Sequence, residues 1–348
     1  MSEVYWKRYV HLSRHKLARK QLLVECSLGL AQNTIDTYAR GREEFFQYCS
    51  DTGIRPEAAD REQIALWVRS LLLRNKVLRS GASTPSPAAG LSNSTLHLRI
   101  TAVRLFFDFT IEQGHRTDNP VGRARYSPGR PFVGKQGRGI LPRYQKLPWV
   151  PTEDQWQLLI RRLESEPIRN KVMFLLAYDA ALRREELCSL RIDDFDFAHR
   201  LLTVRAEVAK GRHERTVPYS TISAALLGEY LRYRRSLTLT PGPVFLSESR
   251  RNRAKPITIW TWSKVVERLA RESDVRRFTT HTSRHLCLTD LARSGWDLHE
   301  IATFAGHKSI ETTKTYIHLS QRDLVRKIER GMDKIHQWRL TILEEACK

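Results

Sequence analysis

No long helix can run through the stretch from Val121 to Pro148, VGRARYSPGRPFVGKQGRGILPRYQKLP, because Pro128, Pro131, Pro142 and Pro148 each lack the amide donor and clash with the turn before them. The stretch therefore reads as an extended linker over 121–150, and it divides the chain into an amino-terminal and a carboxy-terminal part. With 348 residues in all, the chain has room for one large or two medium domains, each able to bury a core without disulfide staples. The linker holds no Asp or Glu, so Arg123, Arg125, Arg130, Lys135, Arg138 and Arg143 have no acidic neighbour within it to pair with. That favours contact with phosphate over a spacer charged for solubility alone.

The same preference runs through the whole chain. A formal net charge of +21 and a pI near 10.1 attract polyanions and drive counterion release on binding them. Nucleic acid is the expected partner, ahead of anionic lipid or a merely soluble basic protein, and the six basic linker residues are candidate DNA-binding positions. An apolar share of 41% excludes a disordered basic tail, so folded domains carry the charge. The five cysteines are scattered and form no C-x-x-C pair, which suits free thiols in a reducing compartment. The first residues, MSEVYWKRYVHLSRHKLARK, are too charged for a signal peptide, and no apolar run reaches the length of a membrane span. The expectation is a soluble intracellular protein, cytoplasmic and nucleoid-associated.

Residues 1–24 form a basic extension with interleaved aromatics. Over 25–120 helical periods dominate. Ile35, Tyr38, Phe45, Phe46 and Cys49 fall on one stripe behind an Asn33/Thr34 start. Ile64, Trp67, Val68, Leu71 and Leu72 point inward in REQIALWVRSLLLR, and a long helix ends at Gly114. The Gly-, Ser- and Pro-rich residues 81–94 read as a loop. After the linker, Thr152 caps a helix, KVMFLLAYDAAL reads as a buried one, and LLTVR and RTVPY read as strands of a small antiparallel sheet with Ala209–Arg212 at a turn. The carboxy-terminal domain, 151–319, is thus mainly helical with one small sheet. In 320–348, Leu324, Ile328, Ile335, Trp338 and Ile342 make apolar stripes.

The chemistry is concentrated in HTSRHLCLTDLARSGWDLHEIATFAGHKSIETTKTY, residues 281–316. It sets His281 three residues before Arg284, follows with Gly306-His307, and ends on Tyr316. The order and spacing resemble the carboxy-terminal signature of the tyrosine recombinase (phage integrase) family: H-x-x-R, then G-H, then a tyrosine. ALRREEL at 181–187 is similar to the family's first arginine box, which places that role on Arg183, and Lys210 matches the family's sheet lysine. The family usually has Gly-Leu-Arg and Leu-Gly-His where this chain has Ala181-Leu182-Arg183 and Ala305-Gly306-His307; neither change removes a functional group.

The resemblance implies a two-domain C-shaped clamp, mainly α with a small antiparallel sheet. It joins a helical core-binding domain, 25–120, to the catalytic domain, with 320–348 docking on a neighbouring subunit. It further implies a homo-tetramer on two duplexes of double-stranded DNA, exchanging strands through a Holliday junction, with an integrase or transposase of a mobile element favoured. The residue types suit phosphodiester exchange. A tyrosine hydroxyl titrating near 10 is a weak nucleophile at neutral pH and needs help with its proton. Arg183 and Arg284 can clamp the non-bridging oxygens bidentately. Lys210 can protonate the departing 5′ oxygen, and His281 and His307 would orient the phosphate or assist proton transfer. Glu186 would hold the fold by pairing locally. Tyr316 is the expected nucleophile, and the phosphotyrosyl bond conserves the energy of the bond it replaces, so no cofactor or metal is expected. The cluster His281, His285 and Cys287 matches no zinc spacing, and His299-Glu300 lacks the second histidine of H-E-x-x-H. Two other readings of the chain are a type IB topoisomerase-like enzyme, which would religate the same strand, and a non-catalytic DNA-binding protein on this fold.

Overall fold

A computed structural model describes residues 3–73, 90–122, 140–142, 144 and 147–319. The chain divides into two units, Met1–Gln145 and Lys146–Lys348. All six basic linker positions, Arg123, Arg125, Arg130, Lys135, Arg138 and Arg143, lie outside the described residues, as does the tail 320–348.

In the first unit the helices are α1 (Val10–Arg14), α2 (Lys16–Ser27), α3 (Gln32–Thr52), α4 (Arg61–Leu73) and α5 (Asn93–Glu112). α3 and α5 pack along each other through Phe45, Phe46, Phe106 and Phe107. These rings meet at mostly edge-on angles, with Trp67 of α4 5.2 Å from Phe45. α3 ends at Gly53, whose φ of 70° closes the helix in the left-handed conformation. Two ion pairs cross the buried faces, Arg42 to Glu25 and Arg99 to Glu44. Arg42, fully buried, also donates to the Ala102 carbonyl.

Of the basic residues 1–24, read from sequence as a separate extension, the described part, 3–24, folds into this unit. Tyr9, Leu12 and Leu22 are buried in its core, and the Glu43 carboxylate accepts from the backbone amides of His11 and Leu12. Leu72, expected to point inward, is 42% exposed. The end of the linker returns to the same unit: Ile140 and Leu141 pack on its core, and the Pro142 carbonyl accepts from Asn93 Nδ2.

The second unit begins with α6 (Glu153–Leu163), which Thr152 caps reciprocally with Gln155. It continues through α7 (Ile168–Asp179), α8 (Arg184–Cys188), β1 (Phe195–Asp196), β2 (Leu201–Val204), β3 (Arg215–Pro218), α9 (Thr221–Leu237), α10 (Ile259–Glu272), α11 (Thr282–Arg293), α12 (Leu298–Ala305) and α13 (Ile310–Leu319). The sheet is antiparallel in the order β1-β2-β3, with Leu202 opposite Val217 and both side chains fully buried. β1, two residues long, adds a third strand to the two that the sequence pattern predicts. α7 is buried as its apolar run requires. α11 packs against α7, α12 and α13, and β3 lies against α12. These contacts bring the first arginine box, β3 and the 281–316 segment to one place. No helix among the described residues is long and apolar enough to cross a membrane.

Candidate active site

Arg284 sits in the first turn of α11 with 3% of its surface exposed. Its guanidinium donates to the Ala181 and Ala305 carbonyls and meets His307 Nε2 at 3.0 Å. An arginine has no acceptor to offer, so His307 Nε2 must accept and its proton sits on Nδ1, from where it donates to Thr313 Oγ1 at 2.9 Å. Burial, then the charges of Arg284, Arg183 and Arg215, lower the His307 pKa to about 3, which keeps the ring in the neutral form this arrangement needs. Burial and the neighbouring Arg183 also lower Arg284, to about 10.

Local geometry explains the residues on either side. Ala181 has a φ of 45°, a conformation for which glycine is the ordinary choice, and this turn aims its carbonyl at Arg284. Gly306 ends α12 at a φ of 63°, with its amide on Thr303 and that of His307 on Ala302, which turns His307 back toward Arg284. A side chain at 306 would also meet Arg215 Cδ at 3.0 Å. Gly306→Ala is expected to cost on the order of 1–3 kcal/mol; a thermal melt of the purified variant measures this, and an unchanged midpoint would refute the strain.

Arg183 and Arg215 are held by one carboxylate. Glu186, fully buried, accepts from the Arg183 backbone amide at 2.9 Å, from Arg183 Nη1 at 2.8 Å, and from both terminal nitrogens of Arg215 at 3.1 and 2.7 Å. Burial alone would raise its pKa; the hydrogen bond and charge of Arg215, then the backbone and side-chain hydrogen bonds of Arg183, bring it down to about 2. Arg215 Nε donates to the Phe304 carbonyl, so Arg215 and Arg284 together satisfy carbonyls at the end of α12. Arg183, Arg215 and Arg284 with Glu186 as their one buried carboxylate leave an excess of positive charge, the condition for holding an anion.

Tyr316 of α13 is 3% exposed. Its hydroxyl lies 2.9 Å from His285 Nδ1, and its ring stacks nearly parallel to that of His307 at 6.1 Å between centroids. Burial raises the Tyr316 pKa, while the fields of Arg284 and Arg183 oppose that rise. Burial, then the charges of His281 and Arg284, lower His285 to about 4. Thr313 and Tyr316 are one helical turn apart, so both face the same neighbours.

Four of the six sequence-assigned positions, Arg183, Arg284, His307 and Tyr316, are thus in mutual contact or in one another's field. His281 caps α11 at the edge of this group with its side chain exposed. Partial desolvation, limited by that exposure, and the charges of Arg184, Arg284 and Arg183 lower its pKa against the pull of Glu185. Lys210 is exposed in the connection between β2 and β3, and no hydrogen bond or ion pair among the described residues joins it to the other five. Its neighbour Gly211 lies against Lys308, the residue after His307, so the connection borders the site. Sequence reasoning passed over His285, Arg215 and Thr313. His285 neighbours Cys287 in the sequence, yet it turns to Tyr316, and the Cys287 thiol faces the Asp179 carbonyl. Among the described residues no cluster of three or more His, Cys, Asp or Glu side chains is placed to hold a metal.

The profile of the phage integrase family matches residues 150–322, and that of the phage integrase N-terminal SAM-like domain matches 20–114. The chain belongs to the tyrosine recombinase (phage integrase) family. As a member it is a tyrosine-type site-specific recombinase, an enzyme of DNA recombination. Its similarity to individual members is moderate and nearly full-length. It is 27% identical to tyrosine recombinase XerA of Pyrococcus furiosus over 91% of this chain and 96% of that one. It is 26% identical to transposase A from transposon Tn554 of Staphylococcus aureus over 88% of each. Among solved structures, the XerH site-specific recombinase bound to palindromic difH substrate superposes with a TM-score of 0.65 at 18% identity, covering 93% of this chain and 90% of that one. The Tn1549 transposon integrase in complex with transposon right end DNA does so with a TM-score of 0.62 at 17% identity, covering 90% and 98%. These likenesses show a shared recombinase fold.

Proposed function

We propose that this recombinase cuts and rejoins double-stranded DNA by transferring a phosphodiester to Tyr316. The observation that carries the reading is the placement of the Tyr316 hydroxyl, buried, within the field of Arg183 and Arg284 and hydrogen-bonded to His285. Arg183 and Arg284 hold the non-bridging oxygens and neutralise the charge that accumulates on them in the transition state. His307 fixes Arg284 from behind, and His281 faces the phosphate from the edge. Lys210, on its exposed connection, gives the departing 5′ oxygen its proton. The product is a 3′-phosphotyrosyl bond with a free 5′ hydroxyl. A second strand's 5′ hydroxyl reverses the step without ATP or metal, and two such exchanges by a homo-tetramer on two duplexes pass through a Holliday junction. The match to Tn554 transposase A and the fold shared with the Tn1549 integrase support a role in moving a mobile element.

The test is a nicked suicide duplex carrying a site that the full chain has selected from a randomised pool. It should yield a covalent protein–DNA band that survives chelator; binding without any adduct would refute the reaction, and relaxation of supercoiled DNA by a monomer would replace recombinase with topoisomerase. Arg284→Lys keeps a charge but loses the planar fork, and single-turnover cleavage should fall roughly 10²–10³-fold. A rate within a few-fold of wild type would remove Arg284 from the reaction.

A further inference from the structure

The two histidines of the family signature do not face the nucleophile's proton. Both ring nitrogens of His307 are committed, Nε2 to Arg284 and Nδ1 to Thr313. His281 is exposed at the helix cap and makes no hydrogen bond to Tyr316. The group in contact with the hydroxyl is His285, whose Nδ1 lies 2.9 Å from Oη with the two ring centroids 5.8 Å apart. It stands one residue after Arg284 and one helical turn after His281, on the helix that packs against α13. Its Nε2 has no partner among the described residues; in the tautomer that carries the ring proton on Nε2, Nδ1 accepts from the hydroxyl.

We infer that His285 takes the Tyr316 proton during cleavage and returns it during rejoining. This rests on Tyr316 being the nucleophile. As Oη forms its bond to phosphorus with an oxygen lone pair, the Oη proton passes to His285 Nδ1. The bond from phosphorus to the 5′ oxygen breaks, its electron pair stays on that oxygen, and the Lys210 ammonium protonates it. In the reverse step the 5′ hydroxyl returns its proton to Lys210, the phosphotyrosyl bond breaks, and the departing phenolate recovers its proton from the His285 imidazolium. His285 is neutral before the step, and the arriving phosphate, an anion beside it, makes it a better proton acceptor than it is in the free protein.

The inference is tested by single-turnover cleavage of the suicide duplex. His285→Gln can still hydrogen-bond the hydroxyl but cannot carry a proton away. Its cleavage rate should fall about a hundredfold or more with DNA affinity unchanged. A 5′-bridging phosphorothiolate, whose leaving sulfur needs no acid, should restore Lys210→Ala and leave His285→Gln slow. Placing 3,5-difluorotyrosine at 316, a more acidic phenol, should raise the rate of His285→Gln about tenfold or more relative to its effect on the wild-type chain. A His285→Gln rate within about threefold of wild type, or an equal effect of the fluorinated tyrosine in both backgrounds, would overturn the inference. Should the variant not fold, ¹⁵N spectra of the wild-type histidines decide, with His285 assigned through its contact to the Tyr316 hydroxyl proton: the proton on Nε2 supports it, and a proton on Nδ1 overturns it. An adduct that still forms in Tyr316→Phe would instead sink the nucleophile assignment on which all this stands.

Discussion

Tyr316→Phe is expected to leave the fold and DNA binding intact and to remove the covalent protein–DNA adduct altogether. The substitution deletes one oxygen from a side chain that is otherwise packed in the core of the second unit, beside the ring of His307. The structural loss is the single hydrogen bond to His285, worth roughly 0.5–1.5 kcal/mol. Arg183 and Arg284 keep their partners, so the anion-holding part of the site persists and the variant should still bind its selected site. Gel shift and thermal melting report the first two properties, and a denaturing gel reports the third. A variant that binds, melts near wild type and still forms adduct would show that another residue attacks the phosphate.

Glu186→Ala should damage stability more than any other single change near the site. It leaves Arg183 and Arg215 facing each other beside Arg284 with their shared carboxylate gone, and such unpaired buried charge costs about 3–5 kcal/mol. For a unit of this size that is roughly a 6–20 °C drop in melting temperature, at about 2–4 °C per kcal/mol. The pH dependence follows from the same residue. Its folded pKa of about 2 lies below the ordinary 4.5, so its contribution is complete above 4.5 and is lost as pH falls toward 2. His307 and His285, lowered from 6.5 to about 3 and about 4, act in the same direction, because the unfolded chain binds their protons first as the solution is acidified. The wild-type melting temperature should therefore fall with acidification from about pH 6.5, and Glu186→Gln should flatten the part below 4.5. A wild-type midpoint independent of pH between 7 and 4 would contradict these linkages.

Much of this site was legible because its signature is local. H-x-x-R places His281 and Arg284 within the first turn of one helix, and G-H is a helix-ending glycine that returns the next residue to that helix. The supports were hidden because they come from far along the chain. Glu186 could be paired with Arg183 by helical spacing, but its stronger partner, Arg215, is 29 residues away on a strand. His285 was visible as a neighbour of Arg284, but only the packing of α11 on α13 shows that it meets Tyr316. In the first unit the long stripes of α3 and α5 were readable, whereas α1 spans five residues and its buried Leu12 and the adjoining Tyr9 are surrounded by charge. A segment that short has too few apolar positions to establish a period. β1, at two residues, is shorter still, and pairing with β2 rather than sequence pattern defines it.

The most direct measurement is to map the attachment point of the DNA. The adduct trapped on the nicked duplex is digested with nuclease and trypsin, and the peptides are sequenced by mass spectrometry. The nucleotide should be found on the peptide that begins at Thr315, attached to Tyr316 through its 3′ phosphate. Attachment to any other residue, or through a 5′ phosphate, would contradict the assignment of Tyr316 as the nucleophile.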